Sequence, residues 1–263
     1  MHTPLIIAAA RTDRGRVRSR NDDTVFADMH LGLVAVADGL GGRPAGDTAS
    51  RLAIETLAQT LATLANAHEV ARPVALHRAV TRANAHVFAM ASRIPGYAGM
   101  GTTLVCGWFI STAELGLQLI VAHVGDSRLY RYRVDGEPAL LPLTRDHTSA
   151  QQLVDEGLYT TEDIRRLPQR HILTNAIGVE PEVDIDLLTV PVQSRDLVLL
   201  CSDGLSNMLS HSEIRALIEG APRSSETELA LLAQTLIDAA NARGGHDNIG
   251  VALAAPASPG IQT

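Results

Sequence analysis

Short apolar runs recur along the whole chain, and both their length and their composition predict β-strands. They are rich in Val, Ile, Leu and Thr, and Gly or Asp bounds several of them, as expected where turns connect buried strands. The predicted strands cover residues 5–10, 31–37, 102–110, 115–124, 129–134, 183–190, 197–201 and 249–254.

Longer segments place Ala and Leu at helical spacing and predict amphipathic helices. The last of them begins at a Ser-Ser pair and ends before Gly244-Gly245, which are ordinary start and stop signals. The predicted helices cover residues 45–66, 73–92, 211–219 and 225–243. Because they come in pairs after runs of strands, rather than one after each strand, the pattern favours an α+β fold over a doubly wound parallel sheet.

The segment from residue 146 to residue 172 lacks the strand pattern and contains short, polar and charged helical stretches. We interpret this segment as a flap inserted into the domain. No internal repeat divides the chain. We therefore predict a single domain over residues 1–254, followed by a disordered C-terminal tail over residues 255–263.

The composition restricts the possible functions. Hydrophobic residues make up 46% of the 263 residues, which is enough for a large core. The net charge of −7 and the low aromatic content of 3% argue against nucleic-acid binding. The chain contains no Lys, which excludes Walker-type nucleotide hydrolysis, kinase chemistry and Schiff-base catalysis.

The sequence also indicates where the protein acts. No run approaches the roughly 20 apolar residues of a membrane helix, and the first ten residues lack the basic start of a signal peptide. Both cysteines, Cys106 and Cys201, lie in apolar runs, which fits reduced thiols better than a disulfide. We expect a cytoplasmic protein that binds neither membranes nor nucleic acid.

Four aspartates lie at the ends of predicted strands. Asp38, Asp126 and Asp203 each follow an apolar run, and Asp247 precedes the last one. One Asp-Gly pair alone indicates only a turn. If these four strand ends converge, however, their carboxylates repel one another unless a cation neutralises them. Carboxylates without His or Cys partners favour hard cations such as Mg²⁺ or Mn²⁺.

The motifs around these aspartates resemble those of the type 2C metal-dependent protein phosphatases (the PPM family), in the order typical of its bacterial branch. The first motif is Asp13-x-Gly15-x-x-Arg18-x-x-Asn21-Asp22-Asp23, and Asp38-Gly-Leu-Gly-Gly follows it. The ordered series covers about residues 5–254 and continues with residues 99–103, 124–128, 143–147, 173–178, 201–205 and 247–248.

The resemblance implies a central antiparallel β-sandwich flanked by pairs of helices, with two Mn²⁺ or Mg²⁺ ions at one end and a third, weaker ion. The metal ligands that it implies are Asp38 as the bridging residue, the Gly39 carbonyl, Asp203 and Asp247, with Asp126 for the third ion. It also implies that Arg18 binds the substrate phosphate, and that Asp22 and Asp23 hold metal-bound water.

The activity implied by the resemblance is hydrolysis of phosphoserine and phosphothreonine in proteins. A hydroxide that bridges the metals would attack phosphorus directly, and a partner Ser/Thr kinase would supply the substrates. A pseudophosphatase that only binds phosphoproteins is the alternative. A cysteine phosphatase is excluded, because no Arg follows Cys106 or Cys201 at the required spacing.

This sequence departs from the family pattern at two positions near the expected site. Asp22 stands where Glu is more frequent, and Leu40 stands where eukaryotic members carry His. Since Leu40 cannot donate a proton to the leaving group, the proton has two possible sources. One is a metal-bound water, which we favour, and the other is His147 at the start of the flap.

Overall fold

Two antiparallel five-stranded sheets pack against each other in the computed structural model, which describes residues 5–40, 45–64, 71–134, 139–164, 169 and 171–257. One sheet contains, in spatial order, β1 (Ile6–Asp13), β10 (Ile249–Pro256), β9 (Leu197–Cys201), β6 (Arg128–Arg133) and β7 (Ala139–Pro142). The other contains β2 (Asp23–Asp28), β3 (Leu33–Asp38), β4 (Leu104–Thr112), β5 (Gly116–Val124) and β8 (Asp186–Pro191).

Both faces of the central strands of each sheet are buried, and β3 shows how the side chains of such a strand divide between the two faces. Val34 and Val36 lie in the apolar layer between the two sheets. Leu33, Ala35 and Ala37 point the other way, into a layer shared with helices. Because side chains alternate across a strand, a strand buried on both faces forms a continuous apolar run. This is the pattern that made most of the strands predictable.

Helix pairs cover the outer faces of the sandwich. On the β3 side lie α1 (Gly46–Leu64) and α2 (Arg72–Arg93), and on the β9 side lie α6 (His211–Glu219) and α7 (Glu226–Ala242). A capping box between Ser210 and Glu213 fixes the start of α6. The predicted α+β sandwich with paired helices is confirmed. Within the described residues, no helix has the length and apolar character needed to cross a membrane.

The predicted flap leaves and rejoins the sandwich at one place. Its described residues, 146–164, 169 and 171–172, include two short helices, α3 (Ser149–Asp155) and α4 (Thr161–Ile164). A bridge between Thr148 and Leu173 closes its base, and the Thr174 N–H donates to the His147 carbonyl at 2.9 Å. One further short helix, α5 (Asp203–Ser206), follows β9 directly.

Two strands were not predicted, and several boundaries differ from the predicted ones. The unpredicted β2 is only partly buried and has Asp at both ends, and β7 has four residues, so neither forms a long apolar run. The last strand continues to Pro256, which pairs with Ile6. The predicted start of the C-terminal tail at residue 255 was therefore too early. Residues 258–263 of that tail and residues 65–66 of the first predicted helix lie outside the described residues.

We expect Gly204→Ala to destabilise the fold by about 1–3 kcal/mol, the usual cost of overpacking. A Cβ at Gly204 would overlap the carbonyl oxygen of Asn248, because the start of α5 packs directly on the start of β10. Gly220→Ala is the matched control, since its Cβ would meet nothing closer than 3.8 Å. Urea unfolding measures both changes. Equal stability of the two variants would contradict this packing argument.

Candidate metal centre

The strand ends that carry the predicted aspartates meet at one end of the sandwich. Asp23 and Asp38 are opposite each other in the register of β2 and β3. A pocket of about 600 Å³ opens at this end. Its lining includes all the predicted site residues except Asp23, namely Arg18, Asp22, Asp38, Gly39, Asp126, Asp203 and Asp247.

The backbone around Asp38 is held by two threonines. The Asp38 N–H donates to Thr103 Oγ1 at 3.0 Å, and Thr102 Oγ1 donates to the Asp38 carbonyl at 2.8 Å. Thr103 Oγ1 also lies 2.6 Å from Ser127 Oγ, next to Asp126. The Gly-Thr-Thr block therefore fixes the position of Asp38 relative to Asp126.

Asp22 and Asp23 occupy different environments, although the sequence predicted the same role for both. Asp22 lines the pocket, and its backbone N–H donates to Asn248 Oδ1 at 2.8 Å. Asp23 lies behind the pocket, where its Oδ2 accepts a 2.7 Å hydrogen bond from Ser202 Oγ. Burial, opposed by this hydrogen bond and reinforced by the charge of Asp203, raises the pKa of Asp23 to about 7.

The carboxylates of the pocket raise one another's pKa values. Burial and then the charges of Asp23 and Asp203 hold the pKa of Asp38 well above its ordinary value. Burial and then the charge of Asp203 do the same for Asp126, and burial and then Asp247 raise the pKa of Asp203. Without a counter-charge, this cluster therefore retains protons that exposed aspartates lose.

These residues fit divalent cations. Buried oxygens of Asp23 and Asp203 (Oδ1 in each case) have no hydrogen-bond partner among the described residues, whereas Asp22 Oδ1 lies 3.1 Å from Arg20 Nε. Unpartnered buried carboxylate oxygens are costly unless something positive approaches them. Oxygen donors of this kind select hard ions such as Mg²⁺ and Mn²⁺.

Arg18 and Asp247 form an ion pair at the rim, with 2.7 Å between Nη2 and Oδ2. The loop that carries Arg18 is fastened by Asn248, whose Nδ2 donates to the carbonyls of Arg14 at 2.9 Å and Arg20 at 2.8 Å. Since Arg18 remains 43% exposed, its guanidinium is accessible from the pocket.

The sequence reasoning overlooked two side chains beside Asp203. Asn207 Nδ2 donates to Asp203 Oδ2 at 3.0 Å, and His171 Nδ1 lies 3.9 Å from the same oxygen. Asn207 could have been found one helical turn after Asp203. His171 lies at the end of the polar flap, where no periodicity marks it.

His147 does not line the pocket. Its Nε2 lies 3.0 Å from Asp186 Oδ2, and its Nδ1 accepts the Gly125 N–H at 3.2 Å. His147 therefore connects the base of the flap to the sheet. His123 beside it is buried, and burial lowers the pKa of its imidazole to about 4.

Known proteins share the sequence pattern and the fold of this chain. The family model described as protein phosphatase 2C matches residues 13–239. This chain belongs to the protein phosphatase 2C family. The predicted family is thereby confirmed.

Two relatives show how far this phosphatase 2C chain resembles characterised members. Serine/threonine phosphatase stp of Listeria monocytogenes is 36% identical over 252 residues, which cover 94% of this chain and 94% of that protein. Serine/threonine protein phosphatase PstP of Mycobacterium tuberculosis is 39% identical over 246 residues, which cover 94% of this chain and 44% of PstP.

Solved structures share the fold of this phosphatase 2C chain. The crystal structure of Mycobacterium tuberculosis PstP superposes with a TM-score of 0.83 at 37% identity, covering 96% of this chain and 99% of that one. The catalytic domain of PstP in complex with 2 manganese ions gives a TM-score of 0.82 at 36% identity, covering 97% of this chain and 100% of that one.

We expect the metal-free phosphatase to lose stability as the pH rises from about 4 to 7. Over this range native Asp23, with its pKa raised from 3.8 to about 7, holds a proton that the unfolded chain has lost. A proton that only the native state holds makes the free energy of unfolding fall by about 1.4 kcal/mol for each unit by which the pH rises. Urea unfolding in chelator at several pH values measures the slope.

Asp23→Asn is expected to flatten this slope, whereas Asp238→Asn on the surface of α7 is the control and should leave it unchanged. A wild-type stability that rises between pH 5 and pH 7 would contradict the description of the cluster.

Proposed function

We propose that this chain is a metal-dependent protein phosphatase that hydrolyses phosphoserine and phosphothreonine in protein substrates. The observation that supports this most is the convergence of Asp38, Asp126, Asp203 and Asp247 on one open pocket with Arg18 at its rim. The names of the relatives, serine/threonine phosphatases, agree with it.

The pocket offers no cysteine nucleophile. Cys106 and Cys201 are buried, and burial raises the pKa of each thiol to about 12. Among the described lining residues there is no Ser, and Thr103 Oγ1 is engaged with Ser127 and Asp38. The attacking oxygen must therefore come from water.

We assign the metal ligands to carboxylates and to one backbone carbonyl that line the pocket. Asp38, the Gly39 carbonyl, Asp203 and Asp247 would hold two Mn²⁺ or Mg²⁺ ions, and Asp126 a third. When bound, such ions supply a strongly nucleophilic water and offset the charge that develops at phosphorus. Asp23 lies behind the pocket and would position Asp38 rather than touch the substrate.

Arg18 and Asp22 have separate roles in this proposal. A guanidinium has five N–H donors, so Arg18 can keep its hydrogen bond to Asp247 and still hold two phosphate oxygens. Asp22 lines the pocket, where its Oδ1 lies 3.1 Å from Arg20 Nε, and its carboxylate would accept a proton from water there. Burial is the main cause that raises its pKa.

We assign the leaving-group proton to water. Leu40 lines the pocket and has no proton to donate. His147 lies outside the lining, and both of its ring nitrogens are engaged. Both facts favour water over His147 as the source of the leaving-group proton, as we preferred from the sequence.

We further propose that the protein acts in the cytoplasm and reverses phosphorylation by a partner Ser/Thr kinase. The buried free thiols suit a reducing compartment. The alternative, a pseudophosphatase, has no support here, because every carboxylate that the chemistry needs is present in the pocket.

The proposal is tested by hydrolysis of a phosphothreonine peptide and of an aryl phosphate in Mn²⁺, in Mg²⁺ and in chelator. We expect chelation to abolish turnover of both substrates. Asp203→Asn should lower kcat by at least about 100-fold, since it removes a charged ligand, whereas Asp238→Asn should have no effect. Full activity in a metal-free preparation would refute the proposal.

We expect Arg18→Ala to raise KM for the phosphopeptide by roughly 10-fold or more, because a charge-assisted contact to phosphate is lost. Mn²⁺ affinity should stay the same or increase, since Arg18 no longer competes for Asp247. Steady-state kinetics and calorimetric Mn²⁺ titration measure the two effects. Arg51→Ala, on the exposed side of α1, is the control. An unchanged KM would place Arg18 outside the substrate site.

A further inference from the structure

The flap contributes a histidine to the pocket. His171, at its C-terminal end, lines the pocket together with Asp126 and Asp203. A ring nitrogen of His171 and one oxygen from each carboxylate all lie within 4.8 Å of one another. No other residue of the flap brings a charged or nitrogen-bearing side chain to the described lining.

These distances suit a cation. Ligand atoms bound at about 2.1 Å from an ion lie about 3 Å apart when adjacent and about 4.2 Å apart when opposite. His171 Nδ1 is 3.9 Å from Asp203 Oδ2, and the side chain is 41% exposed. An imidazole that is only partly buried can rotate through the remaining distance without disturbing the core.

A second observation points to a ligand between these side chains. Asp126 is only 8% exposed, and one of its carboxylate oxygens lies within 4.8 Å of an oxygen of Asp203. The buried Oδ1 of Asp203 has no hydrogen-bond partner among the described residues. Two acidic groups that face each other in this way need a positive charge between them.

A second group of potential ligands, His123, His147 and Asp186, also lies close together. This group is less suitable for binding a metal ion, because His147 Nδ1 already accepts a hydrogen bond from the Gly125 N–H. The neutral ring therefore carries its proton on Nε2, the nitrogen that faces Asp186.

We propose that His171 supplies a nitrogen ligand to the cation held by Asp126 and Asp203, so that this ion fastens the end of the flap to the metal centre. The inference rests on the proposed metal-dependent function. Imidazole binds Mn²⁺ and Co²⁺ more readily than it binds Mg²⁺. The third ion in this protein is therefore expected to prefer transition metals, and its binding holds the flap beside the pocket.

The test is pulsed electron paramagnetic resonance of the full chain loaded with Mn²⁺ to saturation. Nitrogen bound to Mn²⁺ gives a ¹⁴N modulation that oxygen ligands do not give. We expect this modulation in the wild-type protein and its loss in His171→Gln. Asp126→Asn should also lose it, because the ion itself leaves. His246→Gln, which changes the other histidine of the pocket, should keep it.

Calorimetric titration provides a second measurement. We expect His171→Gln to weaken the weakest Mn²⁺ site by about 10-fold and to change Mg²⁺ binding much less. A wild-type spectrum without nitrogen, or an unchanged spectrum in His171→Gln, would overturn the inference. Hydrolysis of an aryl phosphate by the same samples separates the two claims. An active enzyme with only oxygen ligands would refute the role of His171 and leave the proposed function standing.

Discussion

The mutual repulsion of buried carboxylates governs this end of the molecule. Asp23, Asp38, Asp126 and Asp203 are brought together by strands of both sheets. Burial, and after it the charge of at least one neighbouring aspartate, raises the pKa of each. Two like charges 4 Å apart cost about 4 kcal/mol at an effective dielectric constant of 20. An arrangement this unfavourable persists only because the rest of the structure holds it in place.

The surrounding fold supplies that rigidity. Three apolar layers, one between the sheets and one under each helix pair, fix the strands from which the carboxylates project. Hydrogen bonds then fix the individual aspartates. Thr103 holds the backbone of Asp38, Asn248 holds the backbone of Asp22, and Ser202 holds the side chain of Asp23. The core therefore stabilises a cluster of carboxylates that attracts cations. In the metal-free protein, the mutual repulsion of the same carboxylates lowers the stability of the fold.

The sequence predicted strands well where every side chain of the strand is buried, and poorly where the strand is only partly buried. Strands buried on both faces formed apolar runs, and the aspartates at their ends predicted a cluster of carboxylates, which the structure brings together in one pocket. The half-buried β2 and the four-residue β7 left no such run. The separation of Asp22 from Asp23 follows from strand register, and the approach of His171 follows from the path of a polar flap. Neither depends on a local pattern, so both required the three-dimensional structure.

The central claim is that these carboxylates retain protons until cations displace them. Calorimetric titration with Mn²⁺ at pH 6.5, repeated in buffers of different ionisation enthalpy, counts the protons released on binding. Because the pKa of Asp23 is about 7 and that of Asp38 is well above its ordinary value, we predict release of at least about one proton per chain, decreasing towards pH 8.5. Binding of Mn²⁺ with no proton release at pH 6.5 would contradict the account.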